Sequence, residues 1–310
     1  MAPPARPLAW ARGVRGSKQS AGLFCSPFGR NAAHPITRSI PGFRQSLMAM
    51  TEENMRAAGD LLFRHWREQT RLDALPPHLR PATRAEGYCV QAFIEEHTAQ
   101  KLFGWKIAAT SQAGQTHINV DGPLAGRLLA ERVIEDGGVC PLGNNLMRVA
   151  EMEFAFRMAD DLAPRAAPYT QDEVMARVAD LHPAIEIPDS RYHDFTQVGP
   201  AQLVADNACA HRFVLGPAAA DWRGVDLAAH PVRALVNDAP AGEGSGAQVL
   251  GDPRIALTWL ANELSRHGLT LKAGEVVTTG TCVKPAVVAA GTRVVGDFGT
   301  LGRVAVAFVS

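Results

Sequence analysis

From Gly104 onward the chain is punctuated rather than helically periodic. Short apolar runs follow one another: "GWKIAAT", "MRVAEMEFAFRM", "PAIEIP", "AHRFVLG", "VRALVND", "GEVVTTGT", "AVVAAGTRVVGDF" and "RVAVAFV". Gly, Pro, Asp and Asn lie between them, the residues that turn a chain between strands. Two stretches in this part read as helices, 170–181 ("TQDEVMARVADL") and 252–267 ("DPRIALTWLANELSRH"). The second has Asp252 as N-cap, Pro253 at the first helical position and Gly268 as its stop. A doubly wound parallel sheet needs a crossover helix after nearly every strand, and this order of elements argues against one.

Residues 51–103 read differently. Met55, Leu61, Leu62, Trp66 and Leu72 recur at helical spacing, and "LPPHLRP" breaks that helix at 75–81. "ATRAEGYCVQAFIEEHTA" is a second helix, with Tyr88, Val90, Phe93 and Ile94 on its apolar side. Thr83 and Glu86 have the spacing of a capping box. The expected class is therefore α+β: a helical segment over 51–103, then a mostly β catalytic domain over 104–310.

The formal net charge of the 310 residues is zero, which argues against a general nucleic-acid binder. The zero hides an asymmetry. Residues 1–51 hold six arginines, Lys18 and no acid, so they carry +7 and the remainder −7. An Arg- and Ser-rich, acid-free N-terminus fits an organelle transit peptide. It equally fits an upstream start read through, with Met48 or Met50 as the natural beginning. Residues 1–50 are expected to be a disordered extension in either case. Location follows: the cytoplasm, or an organelle matrix if the extension is a transit peptide. No apolar run reaches eighteen residues, so no membrane span is expected. Cys25, Cys89, Cys140, Cys209 and Cys282 are scattered without a C-x-x-C pair, which suggests free thiols in a reducing compartment and no Cys-based zinc site.

"RVAEMEFAF" (148–156) raises the chemical question. As a strand it puts Ala150, Met152, Phe154 and Phe156 on one face, and Glu151 and Glu153 on the other, about 7 Å apart. A solvated acidic face would explain the pair. So would a shared cation. Glu186, between Ile185 and Ile187 in "LHPAIEIPDSR", adds weight to the cation, because a buried carboxylate is costly unless paired or metal-bound. Three carboxylates make an oxygen-only site, suited to Mg²⁺ first and Mn²⁺ or Ca²⁺ next. His65, His97, His211 and His267 show no ligand spacing and read as structural.

These strings resemble the 2-keto-4-pentenoate hydratase group of the fumarylacetoacetate hydrolase superfamily. The likeness runs from about residue 52 to the end. It is densest in "GWKIAAT", "AEMEFAF", "HPAIEIPDSR", "LVADNACAHRFVLG", "GSGAQVLGDPRIALTWLANEL" and "GEVVTTGT". The resemblance implies a mixed β-roll or barrel-like fold, a homo-oligomer, and Mg²⁺ or Mn²⁺ held by Glu151, Glu153 and Glu186. It makes Lys106 the catalytic lysine near the substrate. It puts Arg191, Ser245 and Thr281 at the substrate, with Ser190, Asp206 and Asn207 supporting them. For Arg191 an ordinary ion pair is the rival reading, and for Ser245 and the 279–281 stretch a plain turn.

The implied reaction is addition of water to a 2-hydroxy-2,4-dienoate, giving a 4-hydroxy-2-oxo acid in aromatic-compound catabolism. One departure bears on it. Where many such hydratases carry an acid after "VD", this chain reads "VDGPLAGRL", with Leu124 at that place and Asp121 too early. Decarboxylation of an unsaturated 2-oxo diacid therefore stays open. So does C–C hydrolysis of an acylpyruvate, for which His117 in the 110–120 segment is the candidate. A non-catalytic subunit of the same fold, partnering a related decarboxylase or aldolase, is the reading from another class. Lys284 either meets a second substrate carboxylate or faces solvent.

Overall fold

The computed structural model describes residues 50–310, which fall within one compact unit. The expectations for residues 1–49 lie outside the described residues. Helix α1 (Glu52–Glu68) starts where Thr51 accepts from the Asn54 amide, and it ends at Gln69 in the left-handed conformation. Helix α2 (Arg84–Ala92) carries the expected capping box, with both reciprocal bonds between Thr83 and Glu86 formed. Both helices pack through Ala58, Leu62 and Val90 onto Tyr192 and Ala205 of the β domain.

The following elements alternate strands with short helices: β1 (Leu102–Ala108), α3 (Gln112–His117), β2 (Leu124–Leu129), β3 (Val133–Glu135), β4 (Val139–Pro141), β5 (Val149–Met158), α4 (Gln171–Met175), β6 (Val178–Ile187), α5 (Pro200–Ala205) and β7 (Arg212–Leu215). Then come β8 (Pro231–Val236), β9 (Ala239–Ser245), α6 (Pro253–Arg266), β10 (Val276–Thr281), β11 (Ala286–Val287), β12 (Arg293–Asp297) and β13 (Arg303–Val309). Helix α6 keeps its sequence signals: Asp252 caps it and Gly268 beyond its end has φ 71°.

The larger sheet runs β2-β1-β10-β5-β6-β7-β3, with β11 added beside β5, and curls into a half-barrel. It is mixed: β1/β10 and β3/β7 are parallel and the other pairs antiparallel. A smaller sheet, β4-β13-β12-β8-β9, packs on one face of it. The strand pattern explains which face. Ala150, Met152, Phe154 and Phe156 are fully buried, and Phe154 meets Phe298 edge to face at 5.1 Å. Burying each such aromatic stabilises the sandwich by roughly 1.5–3 kcal/mol. The alternation that sends these residues toward the second sheet sends Glu151 and Glu153 away from it.

One expectation fails locally. The helix expected over 170–181 stops at Met175, and from Val178 the chain is already strand β6. Thr170 and Glu173 cap the first turn, but pairing β6 with β5 along its whole length outweighs the helical period. Helix α5 has too few residues to show a period, yet Ala201–Ala205 are all buried. Among the described residues, Cys140, Cys209 and Cys282 are free and buried. No described helix is long and apolar enough to cross a membrane.

Candidate metal centre and active site

Register brings the acids together. In the antiparallel β5/β6 pair Glu151 lies directly opposite Glu186, with Glu153 two residues along on the same face. Like charges directly opposed across a sheet destabilise it. Yet one oxygen from each of Glu151, Glu153 and Glu186 can be chosen so that all three lie within 4.8 Å of one another. Glu153 and Glu186 are fully buried and Glu151 is half-buried.

Among the described residues Lys106, on β1, is the one cation paired with the cluster. Its Nζ lies 3.0 Å from Glu186 Oε1 and donates to the Ala208 carbonyl at 2.9 Å. It is 3% exposed, so it does not snorkel to solvent. Glu153 is oriented by β10: its Oε2 accepts from the Gly280 amide at 2.7 Å and from the Thr278 hydroxyl. Among the described residues Glu153 Oε1 and Glu186 Oε2 are buried without a partner, and Glu186 Oε1 has the Lys106 ion pair alone.

Burial first, and then the Glu186 charge, push the Glu151 carboxyl up to about 7, against the pull of Lys106. Burial and the two neighbouring acids raise Glu153 well above the usual range. Burial also raises Glu186, while Lys106 opposes it. For Lys106 burial alone would lower the pKa, but Glu186 and Glu151 outweigh it and hold the ammonium above its ordinary value. Three ionised carboxylates beside one ammonium leave −2, the charge a divalent cation cancels. The orphaned oxygens and the all-oxygen donor set fit a hard ion, whose ligand distances of about 2.0–2.6 Å the spacing accommodates.

The other expected site residues are placed less uniformly. Thr281 is paired with Glu153 across β10/β5, but its hydroxyl donates to Val283 O at 2.6 Å. Ser245, half-buried, ends β9 next to Gly244, where a Cβ would come within 2.0 Å of Cys282 O. That strand end therefore passes beside the Cys282 backbone. Within 279–281 the Gly280 amide donates to the Glu153 carboxylate. Arg191 is committed within the chain. It pairs with Asp206 and donates to the carbonyls of Asp189 and Ala210, both at 3.0 Å. Ser190 Oγ donates to Asp206 Oδ2 at 2.7 Å. Asn207 bonds the backbone of Arg127 on β2.

Leu124 is fully buried on β2, opposite Ala108, and Asp121 is bound to Arg84 at the surface. His117 and Lys284 are exposed. Among the structural histidines, His211 accepts from Trp66 Nε1 at 2.7 Å and His97 lies 2.8 Å from Asp60. Sequence reasoning missed Thr278, because a threonine in an apolar strand reads as ordinary β-former and its partner lies 125 residues away.

Curled mixed sheet and oxygen-only acidic site together define a class of domain built to hold a hard cation. The fumarylacetoacetate (FAA) hydrolase C-terminal family model matches residues 139–309, and the chain belongs to that family. A 2-hydroxyhexa-2,4-dienoate hydratase of Comamonas testosteroni is 36% identical over 202 residues, 64% of this chain and 75% of that protein. The 2-keto-4-pentenoate hydratase 2 of Dechloromonas aromatica is 33% identical over 239 residues, 76% of this chain and 89% of its own. Among solved structures, 4-oxalocrotonate decarboxylase from Pseudomonas putida G7, complexed with magnesium and adipate, superposes with a TM-score of 0.77. It is 28% identical and covers 84% of this chain and 99% of that one.

Proposed function

We propose that the chain is a hydro-lyase of the 2-oxopent-4-enoate hydratase type, adding water to a 2-hydroxy-2,4-dienoate to give a 4-hydroxy-2-oxo acid. The observation that carries this reading is the trio of carboxylates within 4.8 Å, with Glu153 Oε1 and Glu186 Oε2 left without a partner among the described residues. Glu151, Glu153 and Glu186 hold Mg²⁺ or Mn²⁺. An ion held there would supply Lewis acidity toward a bound 2-oxo acid.

The chain's residues supply the rest. Lys106 keeps a fixed positive charge beside that oxygen and stabilises negative charge as it develops there. Gly280 and Thr278 fix Glu153, so the site does not reorganise during reaction. Thr281 and Ser245 line the substrate side. Arg191, Asp206 and Ser190 stiffen the segment after β6, and a direct hold on substrate would require Arg191 to leave its present partners. The protein works as a cytoplasmic homo-oligomer, alone or beside a related decarboxylase or aldolase.

A second reading has its own support. The decarboxylase structure matches nearly its whole length, and Leu124 removes one candidate proton-transfer acid. Loss of CO₂ from an unsaturated 2-oxo diacid would use the same site. One assay separates the readings: purified chain with Mg²⁺, a panel of 2-hydroxydienoates, unsaturated oxo-diacids and acylpyruvates, and products identified by mass. Gain of water on the dienoates supports the hydratase. CO₂ loss alone, or carbon–carbon cleavage alone, overturns it.

A further inference from the structure

Residues 207–209 are three consecutive non-glycine residues in left-handed backbone, with φ 57°, 49° and 62°. Asn adopts that conformation more readily than most residues; Ala and Cys rarely do, and runs of it are rarer still. Contacts must therefore hold the turn. Asn207 supplies them: its Oδ1 accepts from the Arg127 amide at 2.6 Å and its Nδ2 donates to the Arg127 carbonyl at 2.8 Å. The side chain thus acts as a strand partner for β2, the edge of the large sheet. At the far end of the turn, Cys209 O accepts from the Asp189 amide at 2.9 Å, tying it to the segment after Glu186.

The middle carbonyl of this turn is the one that receives Lys106 Nζ. Gly126 lies opposite Lys106 in the β1/β2 register. A Cβ there would come within 2.3 Å of Asn207 O and 3.1 Å of Lys106 Cδ, so only glycine lets turn and lysine stem pack together. The Arg127 side chain is itself fixed by Glu95 at 2.6 Å and lies over the Trp105 ring. We infer that Asn207 is the positioning residue for Lys106: by clamping β2 it aims the Ala208 carbonyl at the ammonium and holds the lysine against Glu186. This deepens the proposed function and rests on its assignment of Lys106 to the chemistry.

The test uses the full chain, with and without Mg²⁺, and two readouts. One is acetylation of Lys106 by an N-hydroxysuccinimide ester, measured by peptide mass against exposed Lys101, Lys272 and Lys284. The other is kcat and KM on the substrate found above. Asn207→Ala is expected to speed labelling of Lys106 about tenfold, by loosening a buried site. It is also expected to lower kcat about 10²-fold with KM little changed. Asn207→Gly keeps the left-handed backbone without the clamp, serves if Asn207→Ala does not fold, and should behave the same way. Labelling and kcat within about twofold of wild type in the folded variant overturns the inference. Lys106→Met separates the two claims. If it keeps full activity the catalytic reading of Lys106 fails, whereas the labelling result still judges the positioning.

Discussion

The protein buries two charged clusters close together, and they are built to opposite rules. Around Arg191 one cation meets one acid, Asp206, its remaining donors find the carbonyls of Asp189, Ala210 and Asp206, and Ser190 Oγ donates to the same acid. Around Lys106 one cation faces three acids, and among the described residues Glu153 Oε1 and Glu186 Oε2 have no partner. A completed network holds a fold. An incomplete one of net negative charge costs stability until something positive arrives. The contrast separates a completed ion pair from an open cluster inside one domain, even though Arg191 and Lys106 are each 3% exposed.

The largest effects should split the two clusters. Glu186→Gln is expected to lower kcat/KM about 10³-fold and to abolish the rise in Tm that Mg²⁺ gives wild type, while the metal-free protein stays folded. Turnover and melting scans with and without Mg²⁺ check this. Asp206→Asn should do the reverse. It strands the buried Arg191 charge and costs roughly 3–5 kcal/mol in urea unfolding, while the Mg²⁺-induced rise in Tm persists. If both variants lose both properties, the two clusters are one unit and the contrast is broken.

A pH series sharpens the same point. The Glu151 carboxyl is raised to about 7 from 4.5, so its protonated form is the one the folded state prefers. The stability this gives is present below the unfolded pKa and is lost as pH rises through the folded one. Metal-free protein should therefore lose stability between about pH 4.5 and 7, and Mg²⁺ should restore it. Melting scans from pH 5 to 8 should show the Mg²⁺-induced shift growing with pH. A shift that is largest at pH 5 contradicts this. The smallest effect lies far from either cluster: Thr83→Ala removes the α2 cap and should cost about 1 kcal/mol, with no change in the response to Mg²⁺.

Much of this was legible because it is local. Alternation in 149–156 fixes which face of β5 is acidic, and Glu186 stands out because its neighbours are apolar. Asp252, Pro253 and Gly268 mark α6, and Thr83 with Glu86 marks α2. What sequence did not reveal depends on partners far along the chain. Thr278 meets Glu153 across 125 residues, Asn207 meets Arg127 across 80, and Lys106 meets Ala208 across 102. Arg191 looked available for substrate because nothing in "IPDSR" shows that Asp206 will take it. Strand β6 begins in a stretch with helical period, because pairing with β5 is a tertiary gain that no local window contains.

Titration calorimetry with Mn²⁺ on the metal-free chain tests the central claim most directly. One ion per chain is expected for wild type and for Asp206→Asn, with affinity weakened at least about 10²-fold in Glu153→Gln and Glu186→Gln. Equal binding by wild type and both glutamine variants would mean that the carboxylates of β5 and β6 hold no cation.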